Sequence, residues 1–234
     1  MLGSMRRVDV WVAAADEPVG QPAGPGVLDV IERARFDALT HAPTARAYLA
    51  LHTLARQVVG SIIGAPAHAV RFDRTCPVCR GPHGRPTVID HPGLHLSLTR
   101  TSALVGLAVT TVGAVGIDVE QVSAATFVGF DEVALHPGER EPGGLPTGRG
   151  GRANATMWVR KEAALKALGT GLRTDPATVR TPPTGIPTVV VPGTEPLTVT
   201  DLVLPGAAAR THVAAVAVAG ASAEVVMNGA RPPR

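Results

Sequence analysis

Lysine is almost absent from this chain of 234 residues. Lys161 and Lys166 are the only two, against 20 arginines. Ala, Val, Gly, Pro and Arg dominate, the mark of a GC-rich coding bias, so arginine is the default cation and a lysine that stays is informative. An ammonium is a compact, movable point charge that the planar fork of arginine does not reproduce. Aromatic residues are scarce too, at 3%, which argues against a base-stacking surface for nucleic acid. The net charge of +3 and pI near 9.4 lean only mildly toward anionic partners. Two cysteines do not make a disulfide framework. No apolar run approaches the ~20 residues of a membrane span, and the start has no apolar signal region. The expectation is a cytoplasmic protein with neither membrane nor nucleic acid as partner.

What is present suits a folded globule, 45% hydrophobic. A strand over Val8–Val12 leads into a Pro/Gly loop at Val19–Gly26. Helical stretches follow at Leu28–Leu39 and Thr44–Ile63, the second with Leu51, Leu54, Val58 and Ile62 on its apolar stripe and Gly64 at its end. Residues 70–93 read as loop. Strands are expected at Leu94–Thr99, Ala103–Val112 and Val115–Glu120. Then come a helix at Phe127–Leu135, a polar loop at Pro137–Gly151 and a strong helix at Asn154–Leu168 stopped by Gly169. Strands at Val189–Val191, Leu197–Leu204 and His212–Val218 complete the pattern, with a frayed end from Gly220. The fold class is α+β, built as two similar α/β halves, residues 1–113 and 114–234.

Two constellations carry chemistry. In Gly116-Ile117-Asp118-Val119-Glu120 the acids stand at i and i+2, which on a strand puts both on one face. Neighbouring carboxylates repel and invite a hard divalent cation; a wet strand face is the plainer reading. In Trp158-Val159-Arg160-Lys161-Glu162-Ala163-Ala164-Leu165-Lys166, helical spacing sets Trp158, Glu162 and Leu165 on one face with the two lysines at its edges. The plainer reading here is an amphipathic helix with a Glu162–Lys166 surface pair. Glu162, however, lies close to the apolar face, flanked by the chain's only lysines.

Together, a G-x-D-x-E strand and a W-x-x-K-E-A-x-x-K helix resemble the Sfp-type 4′-phosphopantetheinyl transferases of the holo-carrier-protein synthase superfamily, with an actinobacterial cast. Gly84-Arg85-Pro86 resembles that family's G-K-P segment, Thr99-Arg100-Thr101 stands where the family has Ser-His-Ser, and His136-Pro137-Gly138-Glu139 resembles its short acidic motif. The resemblance implies a fold of two halves related by a pseudo-twofold axis, with the active site at their junction. It implies transfer of the phosphopantetheine arm of coenzyme A to a serine of an apo acyl or peptidyl carrier protein, with adenosine 3′,5′-bisphosphate released, by a monomer. Asp118, Glu120 and Glu162 would hold Mg²⁺, with Mn²⁺ as a substitute, and Glu162, or a water it holds, would be the base. Lys161 and Lys166 would contact phosphates, with Lys166 and Asp118 counted with Glu162 in the catalytic set. Arg46, Arg85, Thr99 and Arg100 would bind coenzyme A, Thr99 and Arg100 at its 3′-phosphate; Arg33 and Arg35 are weaker candidates. Glu139 would support the metal or a base, or simply lie in a loop. A divergent coenzyme A-binding homologue with another acceptor, or none, is the alternative. A non-catalytic binding module is disfavoured because Asp118, Glu120, Glu162 and both lysines occur together. The carrier-docking surface is expected near Phe127–Gly151.

One motif stands apart. Cys76-Pro77-Val78-Cys79 with His83 offers two thiols and an imidazole at zinc-like spacing, with His91 and His95 as the nearby choices for a fourth ligand. Reduced thiols, a disulfide and a zinc site all remain open, whereas a thioredoxin-like redox motif lacks its strand–helix context.

Overall fold

A computed structural model describes residues 6–17, 24–140, 150–181, 188–220 and 223–229. The loop expected at Val19–Gly26, most of that at Pro137–Gly151 and the extreme termini lie largely outside this set. The chain divides into two compact units at Thr111/Val112, and the segment from Val225 returns to the first of them.

The first unit is a six-stranded sheet crossed by a long helix. Its strands are β1 (Arg7–Ala14), β2 (Phe72–Asp73), β3 (Thr87–Val88), β4 (His95–Arg100) and β5 (Leu104–Thr110), with a last strand from the chain end, ordered last–β1–β5–β4–β3–β2. β1 pairs antiparallel with β5 from Val8↔Thr110 to Ala14↔Leu104. Helix α1 (Val30–Asp37) precedes α2 (Ala42–Ile63). Leu51, Leu54, Ala55, Val58 and Val59 of α2 pack into one core with Trp11, Leu96, Val105, Leu107 and Val109. Ile62, expected on that stripe, is instead 46% exposed, since it falls in the last turn.

A charged network lies beneath α1. Asp29 caps the helix, accepting from Glu32 N–H at 2.8 Å, while Glu32 Oε2 accepts from Asp29 N–H at 3.1 Å, a reciprocal capping box. Fully buried Glu32 also meets Arg56 Nη2 at 2.6 Å, Arg74 Nη2 at 2.8 Å and His52 Nδ1 at 2.9 Å. Burial alone would raise the pKa of Glu32, but His52 and Arg56 hold it far below the usual carboxylate range. The stretch 70–93 is thus not all loop: Phe72, under the Arg56 and Arg74 guanidiniums at 5.1 and 5.5 Å, begins a short hairpin of β2 and β3.

The second unit is a four-stranded antiparallel sheet with one long helix. Its strands are β6 (Val115–Gln121), β7 (Thr188–Val189), β8 (Leu197–Asp201) and β9 (His212–Val218), in the order β6–β9–β8–β7. A short helix α3 (Phe130–Ala134) replaces the longer one expected over Phe127–Leu135, and α4 spans Gly151–Leu168. Gly169, just past α4, takes the left-handed φ of 73°. The end expected to fray from Gly220 instead carries β10 (Glu224–Asn228), the last strand of the first unit's sheet. Its Val225-Val226-Met227 run supplies the branched and apolar residues that a strand favours.

Helix α4 presents a stripe at i+4 spacing, Ala155, Val159, Ala163 and Ala167, all fully buried in the core shared with Ala215 and Ala217 of β9. Small side chains bring helix and sheet close. The approach is tightest at Gly116 of β6, where an added Cβ would fall inside the Ala163 carbonyl oxygen and 2.5 Å from the Ala167 amide nitrogen. Both obstacles are backbone atoms, so neither can swing aside. Gly116→Ala is therefore expected to destabilise the protein by about 1–3 kcal/mol, as overpacking does, in urea unfolding followed by circular dichroism. A change within experimental error would contradict this packing.

Candidate active site

On β6 the residues of one parity, Gly116, Asp118 and Glu120, face α4, because strand side chains alternate. On α4 the row beside the alanine stripe is Trp158, Glu162 and Lys166, again at i+4 spacing. The contact at Gly116 thus brings two carboxylates of the strand to a carboxylate and an ammonium of the helix.

Lys166 Nζ donates to Asp118 Oδ1 at 2.6 Å and to the Ile117 carbonyl at 3.3 Å. Its side chain is 29% exposed, while that of Asp118 is 5% exposed. Glu162 Oε1 is buried with no hydrogen-bond partner among the described residues. Burial, seconded by the Asp118 charge, pushes the Glu162 carboxyl up, against the pull of Lys166. Glu120 is pushed up to about 7 by burial and then by Asp118, with Lys166 opposing and Glu162 adding a smaller push. Lys166 is the cation that opposes this repulsion at Glu120 and Glu162 among the described residues, and both carboxyls stay raised. An oxygen-only donor set with excess negative charge and an orphaned buried oxygen fits a hard divalent cation. The carboxylates do not form a closed cage by themselves. Among the described residues, only Cys76, Cys79 and His83 bring ligand atoms of three such side chains within 4.8 Å of one another.

Lys161 lies elsewhere, and the structure reassigns it. Five residues from Lys166 is roughly 140° around the helix at 100° per residue. Lys161 is fully buried there, with Nζ donating to Glu139 Oε2 at 2.6 Å, the Ala134 carbonyl at 2.6 Å and the Pro176 carbonyl at 3.2 Å. An ammonium has three donors, and all three are used, so none is left for a phosphate. Glu139, whose role the sequence left open, is the partner. Its Oε1 accepts from Thr181 N–H at 2.5 Å and Thr181 Oγ1 at 2.7 Å, and its Oε2 from His136 N–H at 2.8 Å. Burial works against the ionised Glu139, but the Lys161 and Thr181 bonds hold its pKa below the ordinary value. Sequence reasoning missed Thr181 altogether; nothing in its surroundings signals a ligand for a distant glutamate.

The remaining candidates lie in the first unit. Arg46 is exposed on α2 and Arg85 is exposed just before β3. Arg85 lies near enough to His95 for its charge to add to burial in lowering that imidazole's pKa. Thr99 is buried on β4, and Arg100 at the strand end is exposed with its guanidinium 5.5 Å from the Tyr48 ring. Arg33 pairs with Asp37 at 2.9 Å and Arg35 donates to the Pro82 carbonyl at 2.5 Å, so both already have partners.

Residues 114–217 match the family model of the 4′-phosphopantetheinyl transferase superfamily. The match begins at β6 and runs through α4 into β9, so it contains Asp118, Glu120, Glu162 and Lys166 together with the buried Lys161–Glu139 pair. No curated protein matches the chain, and no helix among the described residues is long and apolar enough to cross a membrane.

The charge imbalance has a pH signature. A carboxyl whose folded pKa is raised contributes stability below its unfolded value, near 4.5, and that contribution is lost as pH rises through the folded value of about 7. A cation that neutralises the cluster reverses the loss. The gain in melting temperature from saturating Mg²⁺ is expected to be larger at about pH 8 than at about pH 5.5, because metal binding displaces the retained protons. Equal gains by differential scanning fluorimetry at both pH values would contradict it.

Proposed function

We propose that this protein transfers the 4′-phosphopantetheine arm of coenzyme A to a serine of an apo acyl or peptidyl carrier protein and releases adenosine 3′,5′-bisphosphate. The observation that carries this reading is the convergence of Asp118, Glu120, Glu162 and Lys166 inside the stretch that matches the transferase superfamily. Asp118, Glu120 and Glu162 are the residues to hold Mg²⁺, or Mn²⁺ in its place. When bound, such an ion offsets the negative charge of the coenzyme A pyrophosphate and so favours attack on it.

The chain's own groups divide the remaining work. Glu162, or a water that it holds, is the group to take the proton of the incoming serine hydroxyl; its Oε1 is buried with no hydrogen-bond partner among the described residues. The serine oxygen then bonds to the phosphorus that bears the pantetheine arm, and the bond from that phosphorus to the bridging oxygen breaks. The leaving 5′-phosphate takes the bond's electron pair. Lys166 keeps part of its surface exposed and can pass from Asp118 to a phosphate oxygen as charge builds there. Positioning and electrostatics supply most of the catalysis in phosphoryl transfer.

Arg46, Arg85, Thr99 and Arg100 are assigned to coenzyme A. Arg100 is the candidate for the 3′-phosphate, where a guanidinium can make a bidentate contact in place of the histidine of the family pattern. The carrier protein is expected to dock near Phe127, Val128 and Val133, which are 52%, 102% and 52% exposed and so offer apolar surface in front of α4. Within the expected segment Phe127–Gly151, residues 141–149 lie outside the described residues.

The test is direct. The protein is incubated with coenzyme A, Mg²⁺ and apo carrier proteins of several kinds, and each carrier is weighed. A mass gain of one phosphopantetheine arm is expected, with the rate falling by about 10²-fold or more in Lys166→Ala while the fold is kept. Retained coenzyme A binding with no mass gain on any carrier would overturn transfer and favour a divergent binding protein.

A further inference from the structure

The loop between β2 and β3 runs for 13 residues, Arg74–Pro86, and has little apolar material to hold it. Val78 is 71% exposed, and only Cys76 is driven inside, at 1% exposure. The base of the loop is nevertheless tied. Gly84 N–H donates to the Arg74 carbonyl at 2.6 Å, and Arg35 Nη2 to the Pro82 carbonyl at 2.5 Å. Connections of this length without internal structure are usually functional or disordered. This one is ordered around its sulfur atoms.

Cys76 N–H donates to the Gly81 carbonyl at 2.8 Å and Arg80 N–H to the Cys76 carbonyl at 2.9 Å, closing a tight knuckle. Gly81 N–H points at Cys79 Sγ at 3.4 Å, and Cys79 Sγ lies 2.8 Å from His83 Nε2. Arg80 pays for the turn with a left-handed φ of 63°, which for a residue with a Cβ persists only where its surroundings enforce it. A Cβ on Gly81 would stand 3.1 Å from His83 Cδ2 and 3.4 Å from both Cys79 Sγ and His83 Nε2. The glycine thus leaves room for the imidazole to fold back over the thiol.

We propose that this knuckle is a binding site for a thiophilic divalent cation of the Zn²⁺ class. Its protein ligands are the Sγ atoms of Cys76 and Cys79 and Nε2 of His83, and water takes the fourth position. The three ligand atoms already lie within 4.8 Å of one another. Bond lengths of ~2.3 Å to sulfur and ~2.0–2.1 Å to nitrogen, at tetrahedral angles, set a thiolate and an imidazole roughly 3.5 Å apart. Cys79 and His83 therefore need only part by less than an ångström, and the ion replaces the hydrogen they share. Two thiolates balance the ion's charge, and their protons pass to solvent on binding. Borderline-soft sulfur and imidazole donors select this class over Mg²⁺, so the site is chemically distinct from the carboxylate cluster and stands whatever the transferase reading's fate. The exposure of Cys79 and His83 leaves the fourth position to solvent; His91 and His95 are not part of the cluster. The ion would also fix the path of the chain from His83 into Arg85.

Cobalt(II) titrated into the reduced full-length chain provides the test. Thiolate-to-cobalt charge-transfer absorption is expected, which oxygen ligands cannot generate, and Zn²⁺ should bleach it. Cys79→Ser and His83→Ala are expected to weaken cobalt binding by about 10-fold or more, while Glu162→Gln leaves the band intact. Both substituted loop residues are exposed, so these variants should keep the fold by circular dichroism. No charge-transfer band, or a band unchanged in both loop variants, would overturn the proposal. So would a chain that, kept with Zn²⁺ in air, loses the mass of two hydrogens to a Cys76–Cys79 disulfide.

Discussion

With no side chain at Gly116, the Ala163–Ala167 turn of α4 lies directly on the backbone of β6. That contact sets the spacing between the two elements, and the spacing decides which charges meet. Asp118 and Glu120 follow Gly116 on the same strand face, while Glu162 and Lys166 follow the alanine stripe by one row on the helix. The chemistry of the second unit is thus a consequence of close packing by the smallest residues. The alanines and the glycine are as much part of the site as the carboxylates.

The two lysines show how one residue type serves two ends on a single helix. Lys166 lies at the edge of α4, exposed enough to exchange partners. Lys161 is sealed on another flank, its ammonium matched to one carboxylate and two carbonyls. Three convergent acceptors suit an ammonium better than a planar guanidinium. This gives lysine a physical reason to remain at position 161 in a chain that otherwise uses arginine. Removing either partner of such a buried pair leaves an uncompensated charge, so Glu139 and Lys161 act as one pin that holds the segment before α4 to the helix.

Much of this was legible in the sequence, and what was not has identifiable causes. The i, i+2 acids on β6 and the helical W-x-x-K-E-A-x-x-K run were readable because strand and helix periodicity fix which side chains share a face. Their convergence needed a motif resemblance, since periodicity says nothing of which strand a helix covers. The resemblance carried Lys161 to a phosphate, whereas 100° per residue takes it off the Glu162–Lys166 row and into buried contacts with Glu139 and two carbonyls. The buried Arg56–Glu32 pair joins residues 24 positions apart, which no local pattern signals. The edge strand β10 was missed because its pairing with β1 spans nearly the whole chain, beyond any local pattern.

We assign Asp118 and Glu120 of β6 and Glu162 of α4 to one oxygen-lined cation site. Mn²⁺ prefers oxygen to thiolate ligands, and its free hydrated ion is counted directly by electron paramagnetic resonance. Titrated into the full chain, Mn²⁺ should show saturable loss of the free-ion signal, weakened strongly in Asp118→Asn and Glu162→Gln variants that remain folded. Binding unchanged in both variants, or no binding in the parent chain, would rule out this cation site.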